Sequence, residues 1–166
     1  MQTLMVTKRL FLRNLENDDY MDIYDYRNNV NCYRFQKWDD TSLEYIKKFV
    51  KEFSNCHFLS LEENQHYAIC LKDNKIIGDV SIFYNASDNC FTIGYTISYK
   101  YQRNGYAYEL LSELIKQLIK HYPNIEIVAL VLKENSISIS LLKRLGFIEE
   151  CYVSKINSYI YVINRR

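Results

Sequence analysis

The sequence predicts an α+β fold, a central mixed, mostly antiparallel sheet of about seven strands flanked by about four helices. Three observations lead there. Phe91 to Ser98 alternates and is rich in β-branched and aromatic residues, and beyond it Ala107, Leu110, Leu111, Leu114, Ile115, Leu118 and Ile119 recur at helical spacing. Ile125 to Leu132 is a near-continuous apolar run, suited to a strand buried on both faces. Between and around these, short alternating runs are separated by polar turns, as in an antiparallel meander.

In chain order, Lys8 to Arg13 alternates apolar with charged residues and suits a first strand. Asn17, Asp18 or Asp19 can cap a helix carrying Tyr20, Ile23, Tyr24 and Arg27. Asn31 to Asp40 reads as irregular and holds Tyr33, Phe35 and the only tryptophan, Trp38. Thr41-Ser42-Leu43-Glu44 has the form of a capping box before a helix with Tyr45, Ile46, Phe49, Val50 and Phe53 on one face. His66 to Leu71 and Ile76 to Phe83 are two strands joined by the turn Lys72-Asp73-Asn74-Lys75, and a second polar turn, Tyr84 to Asn89, leads into Phe91 to Ser98. Pro123 and Asn124 stop the long helix. A helix from about Ser136 to Leu145 ends with Gly146 in the C′ position, and Phe147 to Tyr152 with Ser158 to Ile163 complete a hairpin.

Composition narrows the function classes. At 166 residues the chain is most simply one domain, 1–166, and 48% hydrophobic with 25% charged residues describes a globular chain without disordered tracts. A formal charge of +1 opposes a generally basic nucleic-acid surface. The longest aliphatic run, Ile127 to Leu132, is too short to cross a bilayer, and early charges interrupt any signal-peptide core, so the expected location is cytoplasmic. Cys32, Cys56, Cys70, Cys90 and Cys151 form no C-x-x-C pair, and His57, His66 and His121 are not spaced with them as metal ligands. Free, mostly buried thiols and no metal are the expectation.

The chemistry concentrates between strand and helix, at Gln102-Arg103-Asn104-Gly105-Tyr106-Ala107. The first turn of a helix has backbone N–H groups without intrahelical partners and carries a partial positive charge, so a phosphate is a natural ligand there. Gly105 lets the backbone turn tightly and approach that ligand, the small Ala107 keeps the helix start close, and Arg103 adds fixed charge. An ordinary strand-to-helix connection with one glycine has the same outline. Neither G-x-G-x-x-G nor a P-loop is present.

What fits is Q/R-x-x-G-x-G/A, met by Gln102, Gly105 and Ala107, which resembles the acyl-CoA pyrophosphate loop of the GNAT N-acetyltransferase superfamily. Glu134-Asn135-Ser136-Ile137-Ser138 running to Leu141-Leu142-Lys143-Arg144-Leu145-Gly146-Phe147 is similar to the E-N-x-x-S-x-x-L-L-x-K/R-L-G-F signature of the same superfamily. Arg9-Leu10-Phe11-Leu12-Arg13, Ile77-Gly78 and Ile93-Gly94-Tyr95 look most like the branch with the ribosomal-protein N-terminal acetyltransferases, which also holds small-amine acetyltransferases. The element order is also that of the GNAT fold.

The resemblance implies direct transfer of an acetyl group from acetyl-CoA to a primary amine, without metal, by a monomer or homodimer. It assigns donor anchoring to the backbone of Gln102, Arg103, Asn104, Gly105, Tyr106 and Ala107. Carbonyl polarisation goes to a backbone N–H near Tyr95, Thr96 and Ile97. Asn135 becomes a donor contact, and Ser138 becomes the acid or hydrogen-bond donor near the sulfur. Asn135 also suits a plain helix N-cap and Ser138 a solvent-facing helix position. The aromatic loop with Phe35 and Trp38 borders the amine groove in such proteins, although an aromatic loop also suits core packing.

One position departs from the pattern. Many members of the branch carry Glu two residues before the strand glycine as general base, and here that residue is Thr92, on the wall of the implied amine site. Either a water chain to another carboxylate substitutes, with Asp79 the candidate, or the amine arrives neutral, or the site binds acyl-CoA without rapid turnover. Asp79 equally suits an exposed strand position. The acceptor classes are a protein N-terminal amine and a small amine such as an aminoglycoside or polyamine; a non-catalytic acyl-CoA sensor is the alternative to an enzyme.

Overall fold

The alternation at Phe91 to Ser98 becomes the strand Cys90–Ile97, the fifth of eight in one sheet. The structure is a computed structural model that describes residues 2–163. The strands are β1 (Thr3–Val6), β2 (Leu10–Asn14), β3 (Gln65–Leu71), β4 (Ile76–Asn85), β5 (Cys90–Ile97), β6 (Glu126–Leu132), β7 (Ile148–Val153) and β8 (Ser158–Ile163). The helices are α1 (Tyr20–Arg27), α2 (Val30–Tyr33), α3 (Leu43–Glu52), α4 (Tyr106–His121) and α5 (Ser136–Arg144). The strands lie side by side as β1-β2-β3-β4-β5-β6-β8-β7, antiparallel throughout except that β5 and β6 are parallel. This is the expected α+β architecture with one strand and one helix more.

The additional strand, β1, is a four-residue edge pairing with β2, too short for alternation to reveal, and Lys8 and Arg9 lie in the turn rather than in a strand. The additional helix, α2, interrupts the stretch expected to be irregular. Asn29 caps it, its side chain accepting from the Asn31 N–H at 3.0 Å. At α3 the cap is Ser42, which accepts from the Tyr45 N–H at 3.2 Å. Glu44 pairs forward with Lys48 instead of closing a box. Gly146 takes φ +94° just past α5, the left-handed turn that a helix end favours.

Alternate strand residues feed two cores. Leu10, Leu12, Tyr67, Ile69, Val80, Ile82, Phe91 and Ile93 pack with the buried stripe of α4, Leu110, Leu111, Leu114 and Leu118. Phe11, Ala68, Cys70 and Ile76 pack on the other face with Ile23 and Tyr26 of α1 and Ile46, Phe49 and Val50 of α3. Each fully buried leucine contributes about 1.5–3 kcal/mol relative to exposure, so the α4 stripe fixes this helix, and its first turn, against the end of β5.

Two features of the sheet position the site. The β5 to β6 pairing covers only Cys90 with Glu126, Phe91 with Ile127 and Thr92 with Val128, so from Ile93 onward the two strands part. On the α1/α3 face the register aligns Ala68, Asp79 and Thr96 in one row, His66, Ser81 and Gly94 in the next, and Phe83, Thr92 and Val128 in a third.

Candidate active site

The loop between β5 and α4 is shaped by what its carbonyls do. Gln102 Nε2 donates to Ile97 O at 3.0 Å, Asn104 Nδ2 donates to Tyr101 O and Gln102 O at 3.1 and 3.0 Å, and Arg9 Nη1 donates to Asn104 O at 2.9 Å. With those oxygens engaged, the N–H groups from Gln102 to Tyr108 have no protein partner among the described residues. Arg103 at φ 62° and Gly105 at φ 76° are left-handed, and Gly105 sits at the N-cap of α4. A run of unpaired N–H groups at a helix start, with left-handed residues, has the donors and the partial positive charge to accept an anion. Gln102 therefore acts on the loop through its side chain, and Tyr106 through a guanidinium stacked 4.5 Å above its ring from Arg9. Glu109 anchors Arg9 in turn at 2.6 Å.

Where β5 leaves β6, Tyr95 reaches across the opening. Its hydroxyl lies 2.6 Å from Ser138 Oγ on α5. Asn135 accepts the Ser138 N–H at 3.1 Å, so Asn135 is the N-cap of α5 and fixes the turn that presents Ser138. Burial pushes the Tyr95 hydroxyl up to about 12, with the Ser138 hydrogen bond acting the other way, and the phenol stays protonated at neutral pH. On the main chain, Tyr95 O accepts from Gln36 Nε2 at 3.3 Å, which also donates to Thr96 Oγ1 at 3.1 Å, while Ile97 O takes Gln102. Because the N–H and C=O of a strand residue share one side, the Tyr95 and Ile97 N–H groups face the opening, and Thr96 faces β4.

The α1/α3 face of the sheet carries a buried charged cluster. Asp79 is 4% exposed and accepts from Tyr26 Oη, while Arg27 Nη2 lies 3.3 Å from both its oxygens and His66 Nδ1 lies 3.9 Å from Oδ1. The Arg27 guanidinium is sandwiched 4.8 Å from the Trp38 ring and 4.1 Å from Phe49. Burial alone would raise the Asp79 pKa. The Arg27 charge, with His66 and Tyr26, more than offsets it and holds the carboxyl well below the usual range. This corrects both expectations for Asp79. It is not an exposed strand residue, and a carboxylate enclosed and held that low does not take a proton from an ammonium at neutral pH.

Asn28, Tyr33, Gln36, Trp38 and Thr41 line a recess over this face. Trp38 lines this recess, and its ring also packs on the α1/α3 core. Phe35 is outside the lining and stacks with Arg34 at 4.6 Å. Thr92 is half-buried in the row beyond Gly94, on the same face. Sequence reading passed over Gln36, Arg9, Arg27 and His66. Among these, only the Arg9-Leu10-Phe11-Leu12-Arg13 segment carried a signal. Among the described residues no cluster of His, Cys, Asp or Glu could hold a metal ion, and no helix is long and apolar enough to cross a membrane.

Comparison with known proteins points one way on family. The family described as Acetyltransferase (GNAT) domain matches residues 9–148. A curated relative, the uncharacterized N-acetyltransferase YnaD of Bacillus subtilis, is 24% identical over 152 residues, 91% of this chain and 86% of its own. Among solved structures, an acetyltransferase (GNAT family) from Bacillus anthracis superposes with TM-score 0.83 at 20% identity, covering 98% of both chains. A ribosomal-protein-S5-alanine acetyltransferase from Vibrio fischeri gives 0.76 at 19% identity over 98% of this chain and 96% of that one. A spermidine N-acetyltransferase mutant from Vibrio cholerae gives 0.73 at 19% identity over 93% of each.

Proposed function

The chain belongs to the GNAT acetyltransferase family, and on that footing we propose that it transfers the acetyl group of acetyl-CoA to the α-amine of a protein or peptide N-terminus. It is an N-acetyltransferase, and its family uses acetyl-CoA as donor. The acceptor assignment is carried by one observation: the five side chains lining the recess beside the opened strands, Asn28, Tyr33, Gln36, Trp38 and Thr41, carry no charge. A polyamine presents several ammonium groups, which need carboxylates in the wall. A peptide N-terminus presents one amine followed by amides, which suit Asn, Gln and Thr side chains over an aromatic floor.

In this reading the donor diphosphate lies on the N–H groups from Gln102 to Tyr108, which support it with the helix start of α4 and Arg103. The pantetheine arm enters the opening between β5 and β6. The N–H groups of Tyr95 and Ile97 face that opening and polarise the thioester carbonyl. The neutral amine adds to the carbonyl carbon and the C–N bond forms; the nitrogen sheds its extra proton to solvent, the C–S bond breaks, and the thiolate takes a proton from Ser138 Oγ, which regains one from solvent through the Tyr95 hydroxyl at 2.6 Å. Asn135 serves by fixing Ser138.

The test is calorimetric titration with acetyl-CoA, followed by thiol release against peptides with free N-terminal alanine or serine, spermidine and an aminoglycoside. Donor binding with release on a peptide supports the proposal. Release on spermidine or the aminoglycoside alone transfers the assignment to small amines, and donor binding without release on any amine makes the protein a sensor.

A further inference from the structure

We propose that His66 is the general base for the amine, standing in for the carboxylate that Thr92 lacks and oriented by the buried cluster of Asp79, Tyr26 and Arg27. The proposal rests on the transferase reading above and adds to it a residue and a proton route.

The geometry begins with the sheet register. His66 on β3 lies opposite Ser81 on β4, and Ser81 lies opposite Gly94 on β5, just past the point where β5 parts from β6. All three side-chain positions face α1 and α3, the face that carries the neutral recess. Ser81 Oγ is 3.4 Å from Gly94 O, and a Cβ at position 94 would come within 2.8 Å of that hydroxyl, so the absence of a side chain there keeps Ser81 open. The row runs from an imidazole, through a hydroxyl, to the opening.

The imidazole faces the buried cluster. Its side chain is 25% exposed, and its ring is held between Phe49 and Phe53, with centroids at 4.9 and 4.4 Å. Nδ1 is fully enclosed, without a hydrogen-bond partner, and points at Asp79 Oδ1 from 3.9 Å. Nε2 has no protein partner among the described residues and is not among the enclosed atoms, so it opens toward solvent. An enclosed carboxylate behind one ring nitrogen and a free second nitrogen is the arrangement of an oriented base. The charged and titratable groups around the ring are Asp79 from β4 and Tyr26 and Arg27 from α1; Cys56 lies behind the strand, in the core on the other face. From α3 and its C-cap, the residues against the ring are the uncharged Phe49 and Phe53. Arg27 shares the Asp79 carboxylate with His66, its Nη2 lying 3.3 Å from Oδ1.

The step balances. The ammonium of the acceptor gives one proton to Nε2, the resulting amine adds to the thioester as described, and the imidazolium, facing Asp79, returns its proton to solvent. His66 and Gly94 are two strand spacings apart, about 9–10 Å. The proton therefore passes through the Ser81 hydroxyl and a bridging water.

The experiment compares wild type with His66→Gln in pH profiles of kcat/KM, using acetyl-CoA with an alanyl peptide and with spermidine, and measures donor affinity by calorimetry. The expected result is a loss of about 10²-fold or more at pH 7. The acid limb of the wild-type profile disappears, the rate of the variant follows the neutral amine, and donor affinity stays unchanged. A profile parallel to wild type overturns the proposal while leaving the transferase intact, whereas absence of both donor binding and turnover in wild type overturns the transferase reading and the base with it. Should His66→Gln fail to fold, wild type carries the test alone. The His66 Cε1–H resonance in the CoA-bound protein must titrate with the midpoint of the acid limb, and a different midpoint overturns the assignment.

Discussion

The Tyr95 hydroxyl and the Ser138 hydroxyl, 43 residues apart in sequence, meet at 2.6 Å across the opening left by β5 and β6. Neither residue has a comparable polar partner for its hydroxyl among the described residues, so each fixes the other. In the proposed reaction the pair forms a two-hydroxyl relay to the leaving thiolate. Ser138→Ala and Tyr95→Phe should each lower kcat by about 10- to 100-fold while changing acetyl-CoA affinity little. The double variant should lose less than the product of the two single losses, because the two groups act as one unit. Thiol release and calorimetry on the four proteins check this. Multiplicative losses would mean that the two hydroxyls act separately.

Gly105 separates the demands of the fold from those of the ligand. A Cβ at this position meets only Arg9 Nη2, at 3.5 Å, an ordinary contact, so the protein has room for it. The left-handed φ of 76° is the remaining penalty, about 1–2 kcal/mol for a residue with a side chain. Gly105→Val should therefore fold with a lowered Tm and lose acetyl-CoA binding by at least about 10-fold, since a branched side chain at the N-cap obstructs close approach of a ligand to the backbone. Unchanged affinity removes the phosphate site from this loop.

Breaking the Asp79 cluster should show in stability. Asp79→Asn leaves Arg27 enclosed without its counter-charge, a change that costs about 3–5 kcal/mol and lowers Tm by roughly 6–20 °C in a chain of this size. The pH dependence follows from the sign. The folded carboxyl is held below its unfolded value, so its contribution is complete above the unfolded pKa near 4 and fades as pH falls below that. The advantage of wild type over Asp79→Asn should shrink progressively as pH falls below about 4, measured by urea unfolding over the acid range. A constant difference would show that the charge is not what Asp79 contributes.

Thiol chemistry should distinguish one cysteine from four. Cys32, Cys56, Cys70 and Cys90 are buried and Cys151 is exposed, and burial pushes the Cys70 thiol up to about 12 despite the nearby Arg13. In the native protein a neutral thiol reagent should label Cys151 at once and the others only on unfolding. Mass spectrometry of the labelled protein reads the site, and early labelling of Cys32 would show opening beneath the loop that carries Gln36.

The parts of this molecule visible in its sequence are the local ones. The strand-turn-helix around Gly105, the Asn135 cap and the left-handed Gly146 are each written within a few consecutive residues, and each recurs in the structure. The Asp79 cluster was not visible because its members are assembled by the sheet. Tyr26 and Arg27 lie 53 and 52 residues before Asp79, and nothing in Ile77-Gly78-Asp79-Val80 announces that two residues of α1 will enclose the carboxylate. Gln36 was hidden for another reason. It occupies a stretch without periodicity, and only the parting of β5 from β6 gives it a carbonyl to reach. His66 looked like any half-buried strand residue until the register set it in line with Ser81 and Gly94.

The short pairing of β5 with β6 has a consequence for how the chain assembles. Strands β1 to β5 are neighbours in space in the order of their synthesis, and β6, β8 and β7 form a second antiparallel section in which the β7–β8 hairpin lays β8 against β6. Among the described residues the only main-chain join between the sections is parallel, reached by the crossover through α4, and limited to Cys90–Thr92 against Glu126–Val128. Parallel, non-local pairing forms late. A refolding chain should therefore complete two independent half-sheets before zipping this seam, and amide exchange at Val128, whose N–H faces β5, becomes the natural clock for the final event.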